Sequence, residues 1–164
     1  MRRTGRLMSI VRSMVALSAI AIAIAAGAAA QSGPPEIPDA VAQRMIDLGL
    51  QNIQRGLCGG LNGCAPATPE EFRLPPITLG QARVAILAGT QSAVARWCGL
   101  DADRRSIAPT MRLVRQKFRL DERQVALIAI IHGIQQSMVS DQLKSRGECD
   151  AVTRSRLDAE LPKG

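Results

Sequence analysis

Aromatic residues are scarce in this chain, which has one Trp, two Phe and no Tyr among its 164 residues. Sites that bind single-stranded nucleic acid, and many that bind sugars, rest on aromatic side chains against which a ring can stack. A core without aromatics has to be built from Leu, Ile, Val, Ala and Met. Such residues pack well between helices, and Ala and Leu are the strongest helix formers. The composition therefore disfavours those ligand classes and predicts an all-α protein.

Histidine is equally scarce, because His132 is the only one in the sequence. No phosphate-binding loop or nucleophile motif accompanies it. The four Cys do not show the C-x₂₋₄-C spacing of zinc sites or the C-x-x-C spacing of redox enzymes. We therefore expect no metal, no cofactor and no catalysis. The alternative hypothesis is an enzyme that uses His132 as its acid or base, since a small pKa shift moves the charge of a histidine across neutral pH.

The first thirty residues have the order of a secretory signal. Four arginines precede an apolar run over 14–26, and the small residues Ala28-Ala29-Ala30 precede Gln31. This order is typical of a signal peptide with an A-x-A cleavage site. We expect cleavage after Ala30, export to the periplasm or beyond, and no membrane insertion afterwards. A retained anchor is the alternative, because the stretch 14–30 is near the lower length limit of a membrane-spanning helix.

The charge of the mature chain is modest. The whole sequence has a net charge of +7, but removal of 1–30 leaves seventeen Lys and Arg against fourteen Asp and Glu, a charge of +3. This charge, without a nucleic-acid-binding motif, predicts no nucleic-acid partner. Four arginines fall on one side of a predicted helix and form a candidate surface for an anionic partner, with a solvated face as the alternative. They are Arg105, Arg112, Arg115 and Arg119.

The mature chain is predicted to form one helical domain over 39–161, after a flexible Pro-rich N-terminus at 31–38. The run VALIAII at 125–131 is apolar on every side, which indicates a buried central helix over about 122–144. Residues 57–77 are rich in Pro and Gly and predict an irregular but ordered loop, with a short turn of helix at most. Four to five helices are expected in all: 39–54, 78–97, a third segment broken near Pro109, 122–144 and 150–161.

The four cysteines are predicted to form two disulfides, since an exported chain matures under oxidising conditions. Three pairings are formally allowed. Cys58 and Cys64 are separated by a flexible, Gly-rich stretch of five residues. Cys98 and Cys149 meet if the third and fourth helices run out and back as a hairpin. The geometry therefore favours Cys58–Cys64 with Cys98–Cys149.

Several short motifs carry a resemblance: WCGL at 97–100, Arg123-Gln124, IHGIQ at 131–135, and Cys149. Over 94–150 the chain resembles small, uncharacterised exported proteins of alphaproteobacteria, a resemblance that implies no biochemical activity. A more general similarity is to the acid-stress periplasmic chaperones, which are small and helical. They contain one disulfide whose cysteines are separated by nearly as many residues as Cys98 and Cys149. That similarity implies stress protection.

The leading hypothesis is thus an exported helical protein that acts by binding or by stress protection, with an unidentified partner such as another periplasmic protein. An adaptor or inhibitor that contacts its partner through 57–77 is a further alternative. It requires the loop to expose Leu57, Leu61, Phe72 or Leu74. His132 is expected to be a core residue bonded by Gln135 or Gln136, with Gly133 allowing close helix packing.

Overall fold

The computed structural model describes residues 36–59 and 62–161, and this part of the chain is all-α, as predicted. None of its helices is long and apolar enough to cross a membrane. The predicted signal peptide lies outside the described residues. Residues from Ile37 onward form one compact unit. Its six α-helices are α1 (Asp39–Gln51), α2 (Pro69–Arg73), α3 (Leu79–Trp97), α4 (Ala108–Phe118), α5 (Glu122–Lys144) and α6 (Ala151–Glu160).

Helix α5 is the central element, which confirms the prediction. It packs against α1, α3 and α4, and its contact with α3 is the most extensive in the molecule. Leu127, Ile128 and Ile131 are fully buried in this core. Asp121 caps the start of α5 through a capping box with Gln124, and Thr78 caps α3 in the same way with Gln81. Both helix starts are therefore fixed by local sequence.

The helices approach each other closely at Gly89 and Gly49, and not at Gly133 as predicted. A Cβ placed on Gly89 of α3 would lie 2.5 Å from the backbone oxygen of His132. A Cβ on Gly49 of α1 would lie 2.7 Å from Leu127 Cδ1. Gly133 is exposed and has nothing within 4 Å of such a position. The packing role predicted for Gly133 is wrong, because one residue of helix turns it away from the side that His132 occupies.

The third helical segment is continuous and does not break at Pro109. A π-helical turn over Asp103–Ile107 leads directly into α4, and Pro109 lies in the first turn of α4 as expected. The amide of Ala108 donates to the carbonyl of Asp103, five residues earlier. Proline has no amide proton, and its ring collides with the carbonyl four residues back in a regular α-helix. The wider π-helical turn accommodates the missing amide proton and the proline ring, so the turn and α4 remain one continuous helix.

The segment 57–77 contains one short turn of helix, as the sequence allowed. This is the five-residue helix α2, in which Thr68 and Glu71 form a capping box. The capping signal Thr68-Pro69-Glu70-Glu71 was present in the sequence but was obscured by the surrounding prolines. The first predicted helix is also shorter, since α1 ends at Gln51 and a 3₁₀ turn covers Ile53–Arg55.

Both predicted disulfides are present, with Cα–Cα distances of 4.8 Å for Cys58–Cys64 and 4.9 Å for Cys98–Cys149. The second disulfide belongs to a small hydrophobic cluster with Leu157 and Leu161. Beside it, the indole Nε1 of Trp97 donates to the carbonyl of Gly147 at 2.7 Å. This disulfide therefore joins the end of α3 to the chain between α5 and α6.

Candidate functional site

His132 lies in a sealed polar cluster between α3, α5 and the π-helical turn. Its Nε2 is 2.9 Å from Ser92 Oγ, which is in turn 2.8 Å from Ser106 Oγ. The three residues are only 3%, 0% and 4% exposed. In the described part of the chain, no buried side-chain nitrogen or oxygen lacks a hydrogen-bond partner. A buried polar cluster that is fully bonded stabilises and specifies a core.

The surroundings of His132 favour the neutral form of its imidazole. Burial lowers the pKa of His132 below its ordinary value of 6.5, and the nearby positive charge of Arg96 lowers it further. A hydrogen bond to the Ala88 carbonyl and the charge of Asp103 oppose these effects. Arg96 and Asp103 themselves form an ion pair at 2.6 Å. The buried ring has no open cleft in which to meet a substrate, so the geometry gives the His132 enzyme hypothesis no support.

The partner of His132 differs from the predicted one. Gln135 reaches α3 and not His132, and its amide donates to Thr90 Oγ1 at 3.1 Å. The Gln136 amide lies beside the Arg96 guanidinium, with its oxygen 3.0 Å from Arg96 Nε. Ser92 therefore takes the role assigned to a glutamine. Its place among the alanines of α3, four residues after buried Ala88, is the signal that could have identified it.

The four predicted arginines do not form one surface. Arg105 pairs with the Asp158 carboxylate and donates to the carbonyls of Asp158 and Leu161, at 2.7 and 3.2 Å. Its side chain is largely buried, and it ties the π-helical turn to the end of α6. Arg112 and Arg115 are exposed on α4, and Arg119 is exposed just after it in a left-handed conformation, with φ of 49°. Only these three present charge to solvent.

The segment 57–77 exposes most of the apolar side chains on which the adaptor hypothesis depends. Leu57 is 60% exposed, Leu74 70% and Phe72 39%; Leu61 lies outside the described residues. We refer to Leu57, Phe72 and Leu74 as the loop surface. Contiguous exposed apolar patches mark contact sites, and these three residues are the candidates for such a patch in 57–77.

The loop surface is held firmly, chiefly by Arg123 of α5. Its guanidinium binds both carboxylate oxygens of Glu71, at 2.5 and 2.8 Å, and donates to the carbonyls of Ala65 and Pro66 at 2.9 and 3.3 Å. This bonding lowers the pKa of Glu71 from 4.5 to about 2. The neighbouring Gln124 donates to the carbonyl of Pro76 at 2.7 Å. The sequence indicated Gln124 as part of the helix cap with Asp121, whereas Arg123 was noted only as part of a resemblance.

Next to Leu57 lies a cleft of about 570 Å³, which we call the groove. It is bounded by α4, the first half of α5 and the chain from Arg55 to Gly59. Glu122 stands on its rim, and its carboxylate accepts a hydrogen bond from the amide of Gly59. The apolar residues that line it are Met111, Val125, Ala126, Ala129 and Ile130, and its cationic residues are Arg55 and Arg115.

Comparison with protein-family models, curated proteins and solved structures found no significant match.

Proposed function

We propose that this chain is an exported helical protein that acts by binding a partner, without catalysis, through the loop surface and the adjoining groove. The observation that carries the proposal is the exposure of Leu57 and Leu74, at 60% and 70%, within a segment anchored to α5. Exposed apolar side chains on a rigidly positioned loop are a common means of recognition.

Export is supported by two independent features. The order of charge, apolar run and small residues in 1–30 is that of a signal peptide. Both cysteine pairs form disulfides, and such bonds persist in the periplasm and outside the cell. We therefore place the mature protein, beginning at Gln31, in the periplasm or among secreted proteins.

The proposal predicts that one charged substitution on the loop surface removes binding. Leu57→Glu places a charge in the centre of the proposed contact, whereas Val152→Glu makes the same kind of change on α6, where Val152 is 80% exposed. Capture from a periplasmic extract, quantified by mass spectrometry, should recover a partner with the unmodified protein and with Val152→Glu. Recovery with Leu57→Glu should fall at least about tenfold, as for a hot-spot residue.

Thermal unfolding of both variants checks that they are folded, as expected for substitutions at exposed positions. Equal recovery with all three proteins, equal loss in both variants, or no partner recovered by the unmodified protein would each contradict the proposal.

A further inference from the structure

We propose that the groove binds a single-chain amphiphile with an anionic headgroup, of the fatty-acid class. The acyl chain would lie on the apolar lining, and the headgroup would lie at Arg55 and Arg115. This inference rests on the proposed binding function and names a ligand for one part of that surface.

The lining of the groove suits an unbranched hydrocarbon chain. Ala126 and Ala129 are the small residues of α5 at this point, and Gly56 approaches Ala126 so closely that an added Cβ would lie 3.0 Å from the alanine Cβ. Met111 and Ile130 complete an apolar wall. A volume of about 570 Å³ falls within the range of small-molecule sites. A smooth floor of small side chains with flexible Met beside it accommodates an aliphatic chain.

The charge on the rim selects the headgroup. Arg55 and Arg115 are exposed, and no described carboxylate forms an ion pair with either of them. The rim carboxylate of Glu122 accepts a hydrogen bond from the amide of Gly59, and two arginines against this one carboxylate give the groove lining a formal charge of +1. Arg112 and Arg119 add positive charge at the same end of the molecule. An anionic headgroup is therefore attracted to the rim, and a cationic one is repelled.

The size of the groove favours an amphiphile over a peptide. A bound peptide helix needs a row of apolar anchor sites spaced along several turns, and a stable protein interface covers about 800 Å² on each partner. The groove is a single cleft. On α4 beside it Arg112 and Gln116 are polar, and the exposed Leu113 lines a separate cleft with Pro109 and Thr110. Binding of an acidic peptide in place of the amphiphile would contradict this inference.

The test is calorimetric titration of the purified, oxidised protein with laurate, below its micelle concentration and at pH 8. One molar equivalent should bind. Decanoate, which is two methylenes shorter, should bind about tenfold more weakly, since each buried methylene changes affinity up to about fourfold. Dodecyltrimethylammonium, with the same chain and the opposite charge, should bind at least about tenfold more weakly than laurate.

Two variants locate the ligand. Ala129→Phe fills the groove from an exposed position on α5 and should abolish laurate binding. Ser137→Phe adds the same ring elsewhere on the exposed side of α5 and should leave binding unchanged. Arg115→Gln should weaken laurate about tenfold, whereas Arg154→Gln on α6 should not.

Equal binding of laurate and its cationic analogue, unchanged affinity in Ala129→Phe, or binding of a Glu-rich amphipathic peptide without laurate would each overturn this inference. The proposed function fails separately. If laurate does not bind while Leu57→Glu still removes partner capture and Val152→Glu does not, only the ligand assignment is wrong.

Discussion

Arg123 positions the loop surface more than any other residue. It is one of the few arginines whose hydrogen bonds reach both a carboxylate and the backbone of a distant segment. A bidentate pair in a partly buried setting is stronger than a typical surface ion pair. The side chains of Arg123 and Glu71 are 26% and 19% exposed, so water screens their attraction only in part. The order of 57–77 therefore depends on the charge of Glu71.

We predict that Glu71→Gln lowers the free energy of unfolding by about 1–2 kcal/mol at pH 7. The pKa of Glu71 is about 2 in the folded protein and 4.5 ordinarily. The unfolded chain therefore takes up the proton first as the pH falls. The stabilisation is complete above about pH 5 and disappears as the pH approaches about 2. Urea unfolding at pH 7, 5 and 3 should show the two proteins converging.

Glu70→Gln is the matched control for that prediction. Glu70 pairs with Arg73, and their side chains are 57% and 74% exposed, so its removal should change stability by less than about 0.5 kcal/mol. Equal losses in the two variants, or a Glu71→Gln effect that does not depend on pH, would show that the Arg123 pair does not stabilise the fold.

At the residue scale, the sequence predicted what depends on neighbours along the chain. The buried position of His132 followed from the apolar run around it, and both cysteine pairings followed from spacing and helix direction. Ser92, Arg105 and Glu71 meet partners 40, 53 and 52 residues away. Such contacts are set by how the helices pack, and no local pattern in the sequence encodes them.

The pairing of α3 with α5 determines the shape of the whole helical unit. Residues Ala82, Ala85, Ala88 and Ala93 are buried along α3, and Gly89 lies where its backbone nearly touches that of His132. Small side chains on one helix let the axis of the other come close. The alanines of α3 are visible in the sequence, but they do not show which residues of α3 and α5 lie opposite one another. The close contact was therefore assigned to Gly133, although it occurs at Gly89.

Two Gly→Ala substitutions should have opposite effects. Gly89→Ala forces a methyl group against backbone, which must shift, and should lower the free energy of unfolding by about 1–3 kcal/mol. Gly133→Ala adds a methyl group in open space on a helix and should raise it by about 0.5–1 kcal/mol through helix propensity. Chemical denaturation of both variants measures this contrast. Destabilisation by Gly133→Ala, or tolerance of Gly89→Ala, would contradict the described packing.

Across the whole molecule, the two disulfides restrain very different lengths of chain. Cys98–Cys149 closes a span of 51 residues that includes α4 and α5, whereas Cys58–Cys64 closes a span of six. A cross-link limits the freedom of the unfolded chain more when its loop is longer.

The fold class and the central helix were predictable because helical periodicity and apolar runs are local signals. The capping box of the five-residue helix α2 is likewise local, at 68–71, whereas the π-helical turn was not predictable, since it depends on contacts made after folding.

We predict that replacing Cys98 and Cys149 together with Ala costs about 4 kcal/mol of stability, against about 2 kcal/mol for Cys58 and Cys64. Paired replacement avoids leaving a free thiol. Urea unfolding of the two double variants, with free-thiol titration as the control for disulfide formation, measures the difference. A larger loss from the short disulfide would show that native contacts, and not restraint of the unfolded chain, dominate.

The short disulfide also reduces the conformational entropy that the loop loses when a ligand or partner binds. Leu57 directly precedes Cys58 and forms an isolated antiparallel β-bridge with Gly63. The amide of Cys58 donates a hydrogen bond to the carbonyl of Asn62 at 2.9 Å. The backbone at Leu57 and Cys58, held by these contacts, has already lost conformational freedom when the protein folds. A ligand or partner that meets Leu57 then does not have to order it, and more of the contact energy appears as affinity. In this protein, formation of the Cys58–Cys64 bond thus prepares the proposed contact surface as well as stabilising the fold.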